Sequence, residues 1–224
     1  MGLQQIKYGS ELISPLGLNK DYWFWKSELI FDHKKAVKFF LKIEKELIKK
    51  YPATYDGDTQ LPESVTARYM FYNLFSLKKP SKELTLIKNF IKSNVKDFLS
   101  RLKVSDLNGL WIMCWFNALR KGECISEHSH YNLGNSHESF VSGHFCVNAS
   151  NTTTFYRDIG GTHILPVKNE IGQLSFFPSY LKHWSDKHEG DDARITMAFD
   201  IYFKREFVKN KQFLKNKTII PLEI

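Results

Sequence analysis

The sequence predicts a mainly β protein, a double-stranded β-helix or jelly roll, braced by helices from its first hundred residues. Three observations predict it. Two N-terminal segments carry apolar residues at helical period. From about residue 106 the pattern turns to short aromatic and β-branched runs. Those runs are separated by Gly, Asn, Asp and Pro. Regular short strands with turn residues between them suit a sandwich or jelly roll, not a βαβ sheet.

The elements follow in order. In 33–51, Val37, Phe40, Leu41, Ile43 and Leu47 mark one face of a helix. In 81–102 the apolar residues Leu84, Leu86, Ile87, Phe90, Ile91, Val95, Phe98, Leu99 and Leu102 do the same, with Ser81 after Pro80 as its start. The stretch PATYDGDTQLPES between them reads as a surface loop. Strands are expected at 109–119, 139–148, 152–158, 162–167, 172–178, 182–187 and 193–203. This gives an α-rich support region at 1–105, a catalytic β core at 106–208 and a basic tail at 209–224, together one globular domain.

Of the 224 residues, 42% are hydrophobic and 15% aromatic, so the chain can build a core and is not a disordered one. The net charge is +8, yet only six of the 32 basic residues are arginine. Arginine is the better reader of bases and phosphates, and the lysines are spread over the helices and the tail. The charge therefore reads mainly as solvated lysine faces; attraction of an anionic substrate stays open, and nucleic acid is the less expected but not excluded partner. Three cysteines, Cys114, Cys124 and Cys146, with no C-x-x-C pair, argue against a disulfide framework or zinc knuckle and for a reducing compartment. No signal-like or membrane-spanning apolar run is visible, so a cytoplasmic protein is expected. The sequence does not indicate an oligomeric state.

The chemistry concentrates in SEHSHYNLGN. His128 and His130 lie at i and i+2, so on a strand both imidazoles face the same side. Gly122 precedes His128 by six positions, and Gly172, Pro178 and His183 stand at G-x5-P-x4-H. This pairing is similar to the two motifs of the cupin superfamily, whose histidines share one metal on neighbouring strands. It departs from that pattern at Tyr180, where glycine is usual. The usual glutamate after H-x-H is missing too, and Glu138 comes late.

A second resemblance is more specific. Trp115 and Asn117, His128 and His130, Ser142 and Gly143, Phe177-Pro178-Ser179 with His183, and Arg194-Ile195-Thr196 with Phe199 resemble the ordered pattern of the 2-oxoglutarate and Fe(II)-dependent oxygenases of phages and marine bacteria. Asp200 stands where that pattern ends in asparagine. The resemblance covers residues 111–203. It implies Fe(II), 2-oxoglutarate and O2, and hydroxylation of a C–H bond with release of succinate and CO2. It also implies His128, His130 and His183 as metal ligands and Arg194 as the clamp on the distal carboxylate, a task for which its planar fork is suited. Asn117, Tyr131 and Ser142 are the expected hydrogen-bonding residues around the cosubstrate.

Alternatives remain at this stage. The usual middle ligand is Asp or Glu, and here it is His130. His130 could stand behind the metal, or Glu127 or Glu138 could supply a carboxylate, although Glu127 should point away from a strand-borne His128. An open third position for chloride, as in a halogenase, would be filled by the imidazole. Arg194 could instead form a surface ion pair with Asp191 or Asp192. His33, His163 and His188 read as structural, His137 and His144 as flanking residues, and Trp184 as packing. A cupin-type dioxygenase or isomerase without 2-oxoglutarate, and a non-catalytic metal-binding or ligand-binding jelly roll, are the competing functions. The substrate, a small molecule or a peptidyl side chain, is not legible.

Overall fold

The computed structural model describes residues 2–6, 22–53, 60–104, 107, 109–130, 139–149, 151–157, 163–203 and 218–224. Its strands are β1 (Gly2–Ile6), β2 (Tyr22–Glu28), β3 (Leu110–Leu119), β4 (Val141–Asn148), β5 (Thr153–Arg157), β6 (Ile164–Lys168), β7 (Gln173–Pro178), β8 (Lys182–Ser185), β9 (Arg194–Phe203) and β10 (Ile220–Pro221). The helices are α1 (His33–Lys50) and α2 (Lys82–Arg101). Both helix starts are capped by side chains: Asp32 accepts from the Lys35 N–H at 3.1 Å and Ser81 from the Leu84 N–H at 3.0 Å.

A seven-stranded antiparallel sheet runs β1-β2-β7-β4-β9-β3-β10, and a three-stranded sheet runs β6-β5-β8. This is the expected mainly β jelly roll with helical support. The helix-and-loop reading of the first hundred residues is incomplete, however. β1 and β2 extend the large sheet, with Trp25 paired to Phe176 and Glu28 to Gln173. The aromatic run of β2 is too apolar for a loop and finds its place only through β7, far along the chain. At the other end, Ile220 and Pro221 pair with Ile112 and Trp111, so the large sheet takes strands from both ends of the chain.

The pleat divides each central strand between two environments. On β9, Ile195, Met197, Phe199 and Ile201 enter the main core, while Arg194, Thr196, Ala198, Asp200 and Tyr202 line a cavity on the opposite face. On β3, Phe116 packs toward the helices while Met113, Trp115 and Asn117 line the cavity. The helices cover the first face through rings, with centroids 5.1 Å apart for Phe40–Phe116, 6.3 Å for Phe90–Phe145 and 5.7 Å for Phe98–Phe176. The small sheet covers the other face and encloses a cluster of Tyr22, Phe24, Tyr156, Phe177 and Leu181. The large sheet is thus buried on both sides, which is why its central strands read as nearly continuous apolar runs. Among the described residues, no helix is long and apolar enough to cross a membrane.

Candidate metal centre

The segment around His128 is extended and lies alongside β8. His128 and His183 exchange both backbone hydrogen bonds, at 3.1 and 2.8 Å, and the Ser185 N–H donates to the Ile125 carbonyl at 3.1 Å. Two residues on, the His130 N–H donates to the Ser179 carbonyl at 3.1 Å. This pairing sets the three imidazoles around one point. Their ring centroids lie 4.2 Å (His128–His183), 5.0 Å (His130–His183) and 5.1 Å (His128–His130) apart. One ligand atom from each lies within 4.8 Å of the others, and among the described residues this is the group able to hold a metal ion.

Hydrogen bonding determines which nitrogen each ring presents. His128 Nδ1 meets the Ser126 carbonyl at 2.8 Å, and His183 Nδ1 meets the Leu181 carbonyl at 3.2 Å. His130 Nδ1 meets Asp200 Oδ1 at 2.6 Å. A carbonyl or an ionised carboxylate only accepts, so in all three rings Nδ1 carries the proton. A neutral ring then presents a lone pair at Nε2. The Nε2 atoms of His128 and His130 stand 3.2 Å apart. Two lone pairs facing at that separation repel unless a cation lies between them. Two nitrogens each roughly 2.1 Å from one ion, at right angles, would be roughly 3.0 Å apart. The donor set therefore fits a divalent metal ion. Burial, with the two neighbouring imidazoles, holds the pKa of His183 well below the usual histidine range, which keeps it neutral and ready to ligate.

The carboxylate question resolves in an unexpected place. Glu127 points away, 3.1 Å from Arg157 and 3.3 Å from Lys182, so it is committed to ion pairs. Glu138, like Tyr131 and His137, lies outside the described residues. The acid at the centre is Asp200, behind His130. It also accepts from the Ser142 hydroxyl at 2.6 Å, and that hydroxyl lies 2.9 Å from Ser179 Oγ. Ser142 is fully buried behind the ring and does not line the cavity, unlike the cosubstrate contact expected of it. Asn117 does line the cavity, but its Oδ1 accepts from Thr66 at 3.0 Å and so ties β3 to the helical turn Thr66–Phe71. Trp184 lines the cavity and stacks on Phe155, with ring centroids 5.4 Å apart. His188 is structural, bonded at 2.6 Å to the Asp192 carbonyl.

Arg194 is not the surface ion-pair residue that its acidic neighbours suggested. Asp191 pairs with Lys121, and Asp192 Oδ2 accepts from Asn148. Arg194 itself is 2% exposed, donates from Nε to Thr152 Oγ1 at 3.1 Å, and lines the cavity, where its Nη1 is buried with no hydrogen-bond partner. A buried guanidinium with an unmet donor is costly unless an anion meets it. The cavity, about 290 Å³, has two characters. Its lining includes the polar side chains of Arg194, His144, Thr154 and Thr196 and the apolar ones of Tyr69, Met70, Met113, Trp115 and Ile219.

No family model matches this sequence, and no curated protein does. Solved structures do. The chain resembles a prolyl-4-hydroxylase from Pseudomonas putida with a TM-score of 0.54 at 9% identity, over 80% of this chain and 92% of that one. The two share a jelly-roll fold. A prolyl hydroxylase from Trichoplax adhaerens, solved with a hypoxia-inducible-factor peptide, matches with a TM-score of 0.53 at 12% identity, over 84% and 87%. SnoK, an alpha-ketoglutarate-dependent carbocyclase of nogalamycin biosynthesis, matches with a TM-score of 0.51 at 9% identity, over 90% and 89%. At such identities the likeness concerns the fold, and any functional reading rests on the site.

Proposed function

We propose that this protein is an Fe(II)- and 2-oxoglutarate-dependent oxygenase that hydroxylates an unactivated C–H bond. The observation that carries the reading is the placement, in one cavity, of three imidazoles with Nε2 turned to a common point and a buried arginine with an unmet donor. A metal ion answers the first and a dicarboxylate the second.

His128, His130 and His183 would hold the iron through Nε2. They leave it its full +2 charge, which favours an anionic cosubstrate, while Asp200 returns negative charge from behind His130. When bound, iron with 2-oxoglutarate and O2 supplies the oxidant, and the net change is insertion of one oxygen atom into the C–H bond, with succinate and CO2 as coproducts. The chain contributes position and dryness. The backbone pairing of His128 with His183 sets the ligands, Arg194 receives the distal carboxylate, and Trp115, whose ring centre lies 5.6 Å from that of His130, shields the centre from water. The apolar wall of Tyr69, Met70 and Trp115 receives the carbon skeleton of a small-molecule or peptidyl substrate. The described cysteines are all unpaired, in keeping with work in a reducing cytoplasm.

The test is anaerobic titration of the purified protein with Fe(II) and then 2-oxoglutarate, followed in the visible spectrum. A charge-transfer band that appears with the oxoacid supports chelation at the iron. Stoichiometric iron binding without the band would instead favour a cupin-type dioxygenase or isomerase that does not use 2-oxoglutarate.

A further inference from the structure

The cavity has a direction along β9. Arg194 opens that strand and Tyr202 stands near its far end, with Asp200 between them on the same face, and all three line the cavity. Asp200, through its bond to His130, places the metal position nearer the Tyr202 end. At that end, away from Arg194, Met113 on β3 pairs with Asp200. Ile219 stands beside Met113, one residue before the Ile220–Ile112 pair. The helical turn Thr66–Phe71 adds two more side chains. The Tyr69 ring lies 5.7 Å from that of Trp115, and Met70, 46% exposed, lines the cavity at its mouth.

Asn73 holds this wall together. It is buried, and its Nδ2 donates to the Ile112 carbonyl at 2.9 Å and to the Thr218 carbonyl at 2.6 Å. Its Oδ1 accepts from the Phe75 N–H at 2.8 Å. One side chain thus ties β3, the residue before Ile219 and the chain that leaves the helical turn.

The wall offers no partner to a charge. The side chains of Met70, Met113 and Ile219 hold no N–H, O–H or oxygen. Among the described residues that line the cavity, the charged ones besides the histidines are Arg194, at the other end, and Asp200. Asp200 Oδ1 is taken by His130 and Ser142, and the Tyr202 hydroxyl is turned to its Oδ2, at 3.5 Å. Once 2-oxoglutarate is bound, its two carboxylates offset the charge of the ion. An ammonium or a carboxylate brought here would lose its water and gain no partner. An alkyl or aromatic group has no such cost and buries apolar area.

We propose that this end of the cavity takes an uncharged apolar group of the substrate, alkyl or aromatic, and that Met70, Met113 and Ile219 select it over charged groups of equal size. The proposal rests on the oxygenase reading and narrows its substrate class.

The experiment uses three compact probes with methyl signals: tert-butanol, tetramethylammonium and methanesulfonate. Each is added to protein loaded with Mn(II), kept below the protein concentration, and saturated with 2-oxoglutarate. The paramagnetic ion broadens the proton resonances of whatever lies near it, and Zn(II)-loaded protein is the diamagnetic control. In wild type the tert-butanol signal should broaden at least about tenfold more than the other two. Met70→Glu should raise the broadening of tetramethylammonium, and Met70→Lys that of methanesulfonate. Met70 is half-exposed, so both variants should fold, and thermal unfolding checks this. Equal broadening of a charged probe in wild type, or no broadening of tert-butanol, overturns the substrate class. An unchanged order of probes in both folded variants overturns the selecting role of Met70. The methylene signals of 2-oxoglutarate are read in the same tube. If they broaden, the oxygenase reading stands whatever the probes do; if manganese binds and they do not, that reading fails and the proposal with it.

Discussion

His130 and Asp200, 70 residues apart in the chain, meet through a 2.6 Å hydrogen bond from imidazole Nδ1 to carboxylate Oδ1. The bond holds the ring in the tautomer that presents Nε2, and it places the acid of the site one residue behind the metal position. Asp200→Ala should therefore weaken divalent-metal binding about ten- to a hundredfold, as loss of an orienting carboxylate does elsewhere. Asp200→Asn, which retains an acceptor oxygen, should lose less. Competition against a chromophoric chelator measures both, and wild-type affinity in Asp200→Ala would remove this role.

Glu127, the acid nearest the histidines in sequence, should behave oppositely to Asp200 and to the ligand His183. Glu127 adjoins His128 but is held by Arg157 and Lys182. Glu127→Gln should leave metal affinity within about twofold, the size expected of a part-exposed ion pair. His183→Ala, which removes a ligand, should weaken it more than about a hundredfold. The same chelator competition reads both, and a large loss in Glu127→Gln would return the carboxylate to the metal.

Much of this was legible in the sequence. Helices α1 and α2 lie where their apolar period placed them, and strands β3 to β9 lie where apolar runs between turn residues placed them, because both signals are local. The H-x-H pair and the distant histidine converge as their spacing suggested. What was missed depends on register between distant segments. β2 looks like an aromatic run until β7 lies beside it. Asp200 reaches His130 because Ser142 sits opposite it in the β4–β9 register. His144 gave only the signal of a histidine in an apolar strand, and its place in the cavity exists only once the small sheet closes over it.

Gly143 marks how closely β4 is packed. A side-chain carbon there would lie 2.4 Å from Phe199 Cζ and 2.6 Å from the Ser175 carbonyl oxygen. The second of these is backbone in the middle of the sheet and cannot move aside. Gly143→Ala should cost about 1–3 kcal/mol, as overpacking in a filled core does. Urea unfolding of the metal-free protein checks it, and an unchanged midpoint would show that β4 can shift.

Stability of the metal-free protein should fall in acid because of His144. Burial first, and the Arg194 charge second, push its pKa from 6.5 down to about 3, with Asn169 pulling the other way. A depressed native pKa means that the unfolded chain takes up a proton while the native state does not. The stability is therefore fully present above pH 6.5 and is lost as the pH falls from 6.5 toward about 3. One such group contributes a slope of about 1.4 kcal/mol per pH unit within that window. His183, also depressed by burial, adds to the wild-type slope, so removing His144 should reduce it and not abolish it. The measurement is urea unfolding at intervals between pH 4 and 7 (about the middle of the window and just above it), for wild type and His144→Gln. The variant should lose roughly one proton's worth of slope. Parallel curves would mean that His144 titrates alike in the native and unfolded states.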